Sequence, residues 1–327
     1  MSVRRLLPGL VALCLGALLA RGIAGVAGIN HLLLAIALGF LAANAVGIPE
    51  RLEPGISTHE LWLGAGIVLM GVSISVETVL EVGGLVLVVV IGVTATTLLV
   101  VELLARNVFG LADRMGSLLA AGASICGVSA VVAVAGSIRA REEQVAYAAG
   151  TVLLFDAITI VVYPIIGDLL NLPSMIFGTW AGVSMFSTGP VVAVGFAYSE
   201  VAGQWATMTK LTRNALIGAV VLVYASYYAR STGGGRPSLR TLWDEFPKFV
   251  LGFLAVALVA SAGALSTGQQ TSIENAYNWL FVVAFVGLGT EIRLRDLRNT
   301  GVAPAVVVLL ALLVTSALSL AALVLLF

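Results

Sequence analysis

A succession of apolar runs limits this chain more than any other feature. Between charged residues and Pro/Gly breaks they fall near 6–20, 29–47, 61–79, 83–104, 116–138, 144–166, 176–198, 205–227, 249–264, 276–291 and 301–327. A helix that crosses a bilayer needs about 20 apolar residues, so eleven of them consume most of a 327-residue chain and leave room for loops but not for a soluble domain. The first, ninth and tenth runs are short or Gly-rich, which sets the expected number of crossings at ten to eleven. Composition agrees: 60% of residues are hydrophobic and 10% charged, against about 45–50% and 25% in soluble domains. A soluble enzyme is excluded. The expected fold is all-α: one polytopic integral membrane domain over residues 1–327.

Charge narrows the partners. The 17 basic and 17 acidic residues cancel, and no basic block could neutralise a run of phosphates, so nucleic acid is not expected as a partner. Cys14 and Cys126 both sit in apolar stretches and His31 and His59 lie far apart, which leaves neither a disulfide framework nor paired metal ligands. The opening MSVRRLLPGLVALCLGALLA has the form of a signal peptide, but further apolar runs follow at once, so it is read as an uncleaved first helix. With the N-terminus in the cytoplasm, twelve Lys and Arg fall inside, including Arg106, Arg114 and those of the 231–248 loop. Three fall outside, Arg21, Arg139 and Arg141, and the last two are a local exception.

Two internal similarities suggest repeats. Residues 61–104 resemble 277–320 at an offset of 216, with VLMGVSIS over AFVGLGTE. An odd number of spans separates them, as an inverted repeat requires. At an offset of 60, AGASICGVSAVVAV (121–134) matches AGVSMFSTGPVVAV (181–194) at seven of fourteen positions. Two spans apart, these copies run parallel unless one is re-entrant.

Polar groups inside spans are costly and mark function. Asp156 lies mid-span in VLLFDAITIVVYP, while Lys210 and Arg213, spaced i, i+3, share a helix face. The segments 120–130 and 180–190 read as interrupted helices, because Gly122, Gly127 and Gly189-Pro190 loosen the backbone ladder. The freed N–H groups of a half-helix N-terminus suit an anion, and Ser124, Ser129, Ser184, Ser187 and Thr188 add hydroxyls. Close helix packing through small residues is the structural alternative, as a locking ion pair is for the charges. Glu102 is expected to snorkel at a helix end, and Trp62, Trp180, Trp205 and Trp279 to anchor at the interface. Neither a nucleotide-binding loop nor a Ser-His-Asp order occurs, so the chain is not read as an enzyme and no cofactor is expected.

SICGVSA (124–130), EEQVA (142–146), TVLLF with YPIIG (151–167), FGTWAGVS (177–184), TKLTRN (209–214) and FPKFVLGF (246–253) stand in order along nearly the whole chain. Together they resemble the YeiH-like family of sulfate exporters, placed by resemblance in the superfamily of sodium/proton antiporters and bile-acid symporters. That resemblance implies inverted repeats, crossing broken helices and alternating access. It places Ser124, Cys126, Gly127 and Ser129 in the family's Ser-Ile-Cys-Gly-x-Ser signature and Lys210 and Arg213 in its Lys-Leu-Thr-Arg segment. One stretch departs: the family's Ile-His-Asp-Thr-x-Gln-Val run is Met185, Phe186, Ser187, Thr188, Gly189, Pro190, Val191 here, and Asp156 stands where relatives carry a small residue. The carboxylate is therefore expected to have moved to Asp156 and to pair with Lys210 or Arg213.

The resulting expectation is a secondary transporter of a small anion, sulfate or another sulfur oxyanion. Half-helix N-termini near Ser124 and Ser187, with Ser129, Thr188, Cys126, Gly127, Lys210 and Arg213, would hold it, and Asp156 would link a proton or sodium ion to its movement. A cation-coupled carrier of an organic acid and a non-transporting regulatory membrane protein are the alternatives. The lipid bilayer and a second copy of the chain complete the expected partners.

Overall fold

The computed structural model describes residues 3–74, 76–232, 243, 246–297 and 301–327. Most of the loop expected at 231–248 lies outside the described residues. Among them five helical stretches are long and apolar enough to cross a membrane: Arg5–Ala27, Glu53–Ser73, Gly83–Val108, Glu142–Leu169 and Val302–Leu326. Large apolar side chains such as Leu15, Leu18 and Leu19 remain more than half exposed on the first of them. Hydrocarbon rather than water suits such a surface. The chain divides into two compact units, Met1–Val82 with Lys248–Leu294, and Gly83–Pro247 with Arg295–Phe327.

The first unit holds α1 (Val3–Ala27), α2 (His31–Leu41), α3 (Glu53–Ile56) and α4 (His59–Met70). Later in the chain it adds α13 (Phe249–Ser261) and α14 (Thr267–Glu291). The expected span 61–79 is corrected: α4 stops at Met70, a tight turn covers Gly71–Ser73, and the next helix, α5, starts at Val76. Asn30 opens α2 by accepting from the N–H groups of Leu32 (2.8 Å) and Leu33, a side-chain cap that fixes where the helix begins.

The 216-residue offset is visible as packing. Helices α4 and α14 lie antiparallel, since a Cβ on Gly66 would touch the Phe281 ring and one on Gly287 the His59 side chain, while Ser73 meets Tyr277 at 3.1 Å. In parallel fashion α2 rides on α14, with Gly39 against Val286 and Gly289, and Asn44 donating to Ile292 O at 2.7 Å. The same offset carries α2 onto α13 and α14 onto α4. There α13 runs along α4, with Gly252 against Val68 and Gly71 against Phe253 and Ala257. Glycine is needed at Gly39, Gly71 and Gly289 because the neighbouring backbone occupies the place of a Cβ. An inverted repeat predicts this alternation of antiparallel and parallel contacts.

The second unit contains most of α5 (Val76–Leu103), then α6 (Asp113–Ser124), α7 (Val128–Ile138), α8 (Glu142–Leu169), α9 (Ser174–Ser184) and α10 (Thr188–Tyr198). After these come α11 (Glu200–Asn214), α12 (Ile217–Thr232), α15 (Leu294–Leu297, whose first residue is counted with the first unit) and α16 (Val302–Leu326). The expected span 205–227 is thus two helices with a break at residues 215–216. The expected spans 116–138 and 176–198 are corrected more deeply. Neither crosses the unit.

At the second of these, α9 and α10 fold back as a hairpin. Its two ends meet: Ser199 Oγ donates to Ser174 Oγ at 2.9 Å, Tyr198 OH to Leu172 O at 2.7 Å, and the Phe177 and Tyr198 rings stack 3.8 Å apart. Along α11, Gly178 sits by Ala202 and Gly182 by Thr209, whereas Gly195 sits by Gly203 and Thr188 by Asn214. The arms therefore run in opposite directions. Helices α6 and α7 form the other hairpin, because a Cβ on Gly122 would lie 2.8 Å from Val131 Cγ2 and 2.9 Å from Val152 Cγ2. A broken but continuous helix would hold residues 122 and 131 about 13 Å apart at 1.5 Å per residue. Helix α7 packs back on α12 and α8.

Only α8 separates the two hairpins, so they enter from opposite ends of the unit. This resolves the 60-residue similarity: the copies are inverted, not parallel. It also places Arg139 and Arg141 on the side of Arg106 and Arg114, and the exception in the charge count disappears. A measurement follows from this arrangement. Cysteines placed singly at Asp113 and Glu142, both exposed, are expected to react with a membrane-impermeant thiol reagent from one side, and those at Asp168 and Glu200 from the other. Labelling of positions 113 and 142 from opposite sides would contradict the hairpin.

Two further expectations change. Trp180 and Trp205, expected as interfacial anchors, are buried, and Trp180 Nε1 donates to Ser316 O at 3.0 Å. Glu102 does not simply snorkel. Its Oε1 accepts from Ser117 Oγ (2.9 Å) and Tyr224 OH (2.8 Å), and its Oε2 lies 2.5 Å from Arg106, tying α5, α6 and α12 together at the open end of the first hairpin.

Candidate functional site

The hairpin tips meet. Gly127, with φ +71° and ψ −134°, is the cap of α7, and a Cβ there would lie 3.1 Å from Ser187 Cβ and overlap Ser187 Oγ. Both the torsion angles and the contact require glycine. Ser187, extended at φ −93° and ψ 152°, caps α10. Pro190 follows in the first turn of α10, where its missing N–H costs nothing.

Each hairpin therefore brings two kinds of helix end to one place. The first arms, α6 and α9, end there in unpaired carbonyls at the negative pole, and the second arms, α7 and α10, begin there with unpaired N–H groups at the positive pole. The side chains on α8 and α11 sort by sign. Lys210, 0% exposed, donates to Ile125 O (2.8 Å), Met185 O (3.1 Å) and Phe186 O. Arg213, 1% exposed, donates through Nε to Ser124 O, through Nη1 to Met185 O (2.6 Å) and through Nη2 to Ala123 O. One turn of α11 thus caps the C-terminal ends of both first arms.

Asp156, 2% exposed, answers the opposite pole: its Oδ1 accepts from the Ser187 N–H at 3.0 Å. Its Oδ2 is buried without a hydrogen-bond partner. The expected pairing is corrected here, since among the described residues no Lys or Arg nitrogen lies within 4 Å of this carboxylate. Lys210 and Arg213 face carbonyls because the chain delivers the C-terminal ends of α6 and α9 to them and the N-terminal end of α10 to Asp156.

The remaining expected residues divide the same way. Ser124 is fully buried at the C-terminal end of α6, its Oγ bonding back to Ala121 O at 3.4 Å, so it does not stand at a half-helix N-terminus. Cys126 lies buried in the turn. Ser129 is exposed on the first turn of α7, and Ser187 and Thr188 are half-buried on the first turn of α10. Ser184 belongs elsewhere, accepting from Tyr163 OH at 2.9 Å. Asn214 was not anticipated. It donates to Thr188 Oγ1 at 2.9 Å while its own Oδ1 is buried and unpartnered. As an amide one residue past Arg213 in an apolar span, it carried the same signal as the charges beside it.

The site can therefore offer an anion the N–H groups of Val128, Ser129, Thr188 and Gly189, which have no acceptor within their helices, and the hydroxyls of Ser129, Ser187 and Thr188. No acidic side chain stands in the first turn of α7.

Comparison with other sequences agrees with this membrane architecture. No solved structure matches the chain. A UPF0324 membrane protein of Nitratidesulfovibrio vulgaris is 34% identical over 92% of this chain and 88% of its own length. A UPF0324 membrane protein of Clostridium tetani is 30% identical over 83% and 82%, and one of Bartonella henselae 31% identical over 90% and 85%. The family model described as conserved hypothetical protein 698 matches residues 6–308, a stretch that includes both hairpins, Asp156, Lys210 and Arg213. The chain is a multi-pass membrane protein and belongs to that family.

Proposed function

We propose that the chain is a secondary transporter that moves a small inorganic oxyanion, sulfate or another sulfur oxyanion, across the cytoplasmic membrane by alternating access. The observation that carries this reading is the pair of half-helix N-termini at Gly127–Ser129 and Ser187–Gly189, brought together at the hairpin tips with exposed or half-exposed hydroxyls. Oriented N–H groups and partial positive charge bind tetrahedral oxyanions without a formal cation. The resemblance to YeiH-like sulfate exporters supports the choice of substrate. The family's named relatives do not specify one.

In this reading Lys210 and Arg213 are positioning residues that hold the tips in register, and Asp156 is the coupling group. Its buried, unpartnered Oδ2 calls for a proton or a metal cation, and that demand equally fits a cation-coupled carrier of an organic acid. Substrate selection separates the two. The charge count supports a cytoplasmic N-terminus: read from the sequence with Arg139 and Arg141 on the inner side, that orientation assigns fourteen of the 17 basic residues to the inside and Arg21 alone to the outside. Purified protein in proteoliposomes is expected to exchange labelled sulfate for internal sulfur oxyanions faster than protein-free vesicles. Exchange of small carboxylates but of no oxyanion would establish the organic-acid carrier instead.

A further inference from the structure

We propose that His59, Glu60 and Glu291, all in the first unit, form a divalent-metal site that ties the first turn of α4 to the last turn of α14. His59 is 4% exposed and its Nδ1 lies 3.1 Å from Ile56 O. A carbonyl only accepts, so Nδ1 carries a hydrogen, and in the neutral ring Nε2 then presents a lone pair. Nε2 points at Glu291 Oε1, 3.4 Å away. In that neutral form two acceptors face each other, and a positive centre between them removes the conflict.

The geometry suits a metal ion. One ligand atom each from His59, Glu60 and Glu291 lie within 4.8 Å of one another. Ligands about 2.0–2.1 Å from a tetrahedral centre stand about 3.4 Å apart, the His59–Glu291 separation. The Ile56 carbonyl on Nδ1 is the outer support that metal-bound imidazoles use to fix tautomer and ring orientation. Gly287 adds a second constraint: a Cβ there would lie 2.6 Å from His59 Cγ, so its absence lets the imidazole seat against α14.

Charge points the same way. Arg293 pairs with Glu53 at 3.5 Å, and among the described residues no Lys or Arg pairs with Glu60 or Glu291. A neutral imidazole with two carboxylates leaves two negative charges for a divalent ion, and one nitrogen with two oxygens favours Zn2+, Co2+, Ni2+ or Mn2+ over Ca2+. The Glu291 side chain is 40% exposed, which gives the ion a path from water and room for water ligands. Bound metal would fix the contact between the two counterpart helices of the inverted repeat.

Tag-free protein in detergent, stripped with a chelator and titrated with Co2+, tests this directly. One Co2+ per chain, with a visible d–d absorption band that Zn2+ abolishes, is expected at micromolar concentration. Glu60→Gln and Glu291→Gln should each weaken uptake about tenfold or more while the protein elutes as the wild type does. Glu60 is exposed, so its replacement leaves the packing intact. No stoichiometric uptake would mean that His59 and Glu291 form an imidazolium–carboxylate pair only, and would overturn the proposal. So would uptake unchanged in both variants.

Discussion

Arg213→Ala is expected to unfold the protein rather than to weaken a ligand. The guanidinium is buried and caps the carbonyls of Ala123, Ser124 and Met185, so truncation strands the Ala123 and Ser124 acceptors at a negative helix pole and leaves Met185 O to Lys210 alone. Each buried acceptor left without a donor costs about 1–3 kcal/mol, so two of them take a large part of a typical total of about 5–15 kcal/mol. Lys210→Met should cost a similar amount, because Ile125 and Phe186 lose their donor and Met185 keeps only Arg213. Arg213→Lys should not restore stability, since one ammonium cannot stand at the three separate places from which Nε, Nη1 and Nη2 of the planar fork donate. Denaturant or thermal unfolding in detergent checks all three. The opposite result, variants more stable than the wild type, would identify two repelling cations held ready for an anion.

Asp156→Asn is expected to do the reverse, leaving the fold and removing the coupling. The amide oxygen can still accept from the Ser187 N–H, and the side chain keeps its size, so the unfolding midpoint should stay within a few degrees of the wild type. The lost capacity is at Oδ2, which can no longer take up and release a proton or cation. In proteoliposomes the variant should exchange anion for anion while net flux loses its response to an imposed proton or sodium gradient. A gradient response equal to that of the wild type would remove Asp156 from the mechanism. Collapse of the fold would make it a cap of α10 and nothing more.

The interruptions near 120–130 and 180–190 were legible because glycine, proline and clustered hydroxyls break the apolar pattern where the tips now lie. Re-entrance was not. Two arms of about eleven residues and a turn have the length and hydropathy of one crossing helix, and only tertiary contacts such as Gly122 with Val131 or Ser174 with Ser199 tell them apart. Two clues pointed there all the same: the misplaced Arg139 and Arg141, and a repeat whose copies came out parallel. The faces of Lys210 and Arg213 were readable from their i, i+3 spacing. Their partners were not, because whether a buried cation meets an anion or a helix C-terminus depends on the direction of α6 and α9.

The proposed transport depends on the tips of the two hairpins binding an oxyanion through backbone N–H groups and hydroxyls. Saturation of labelled sulfate exchange in proteoliposomes, for wild type, Ser129→Ala, Ser187→Ala and the double variant, tests that claim most directly. Each hydroxyl lost should raise the half-saturating concentration about three- to tenfold, from a hydrogen bond worth about 0.5–1.5 kcal/mol, with the protein folded and the maximal rate less affected. Half-saturation unchanged in the double variant, at wild-type stability, would place the anion elsewhere and contradict the account.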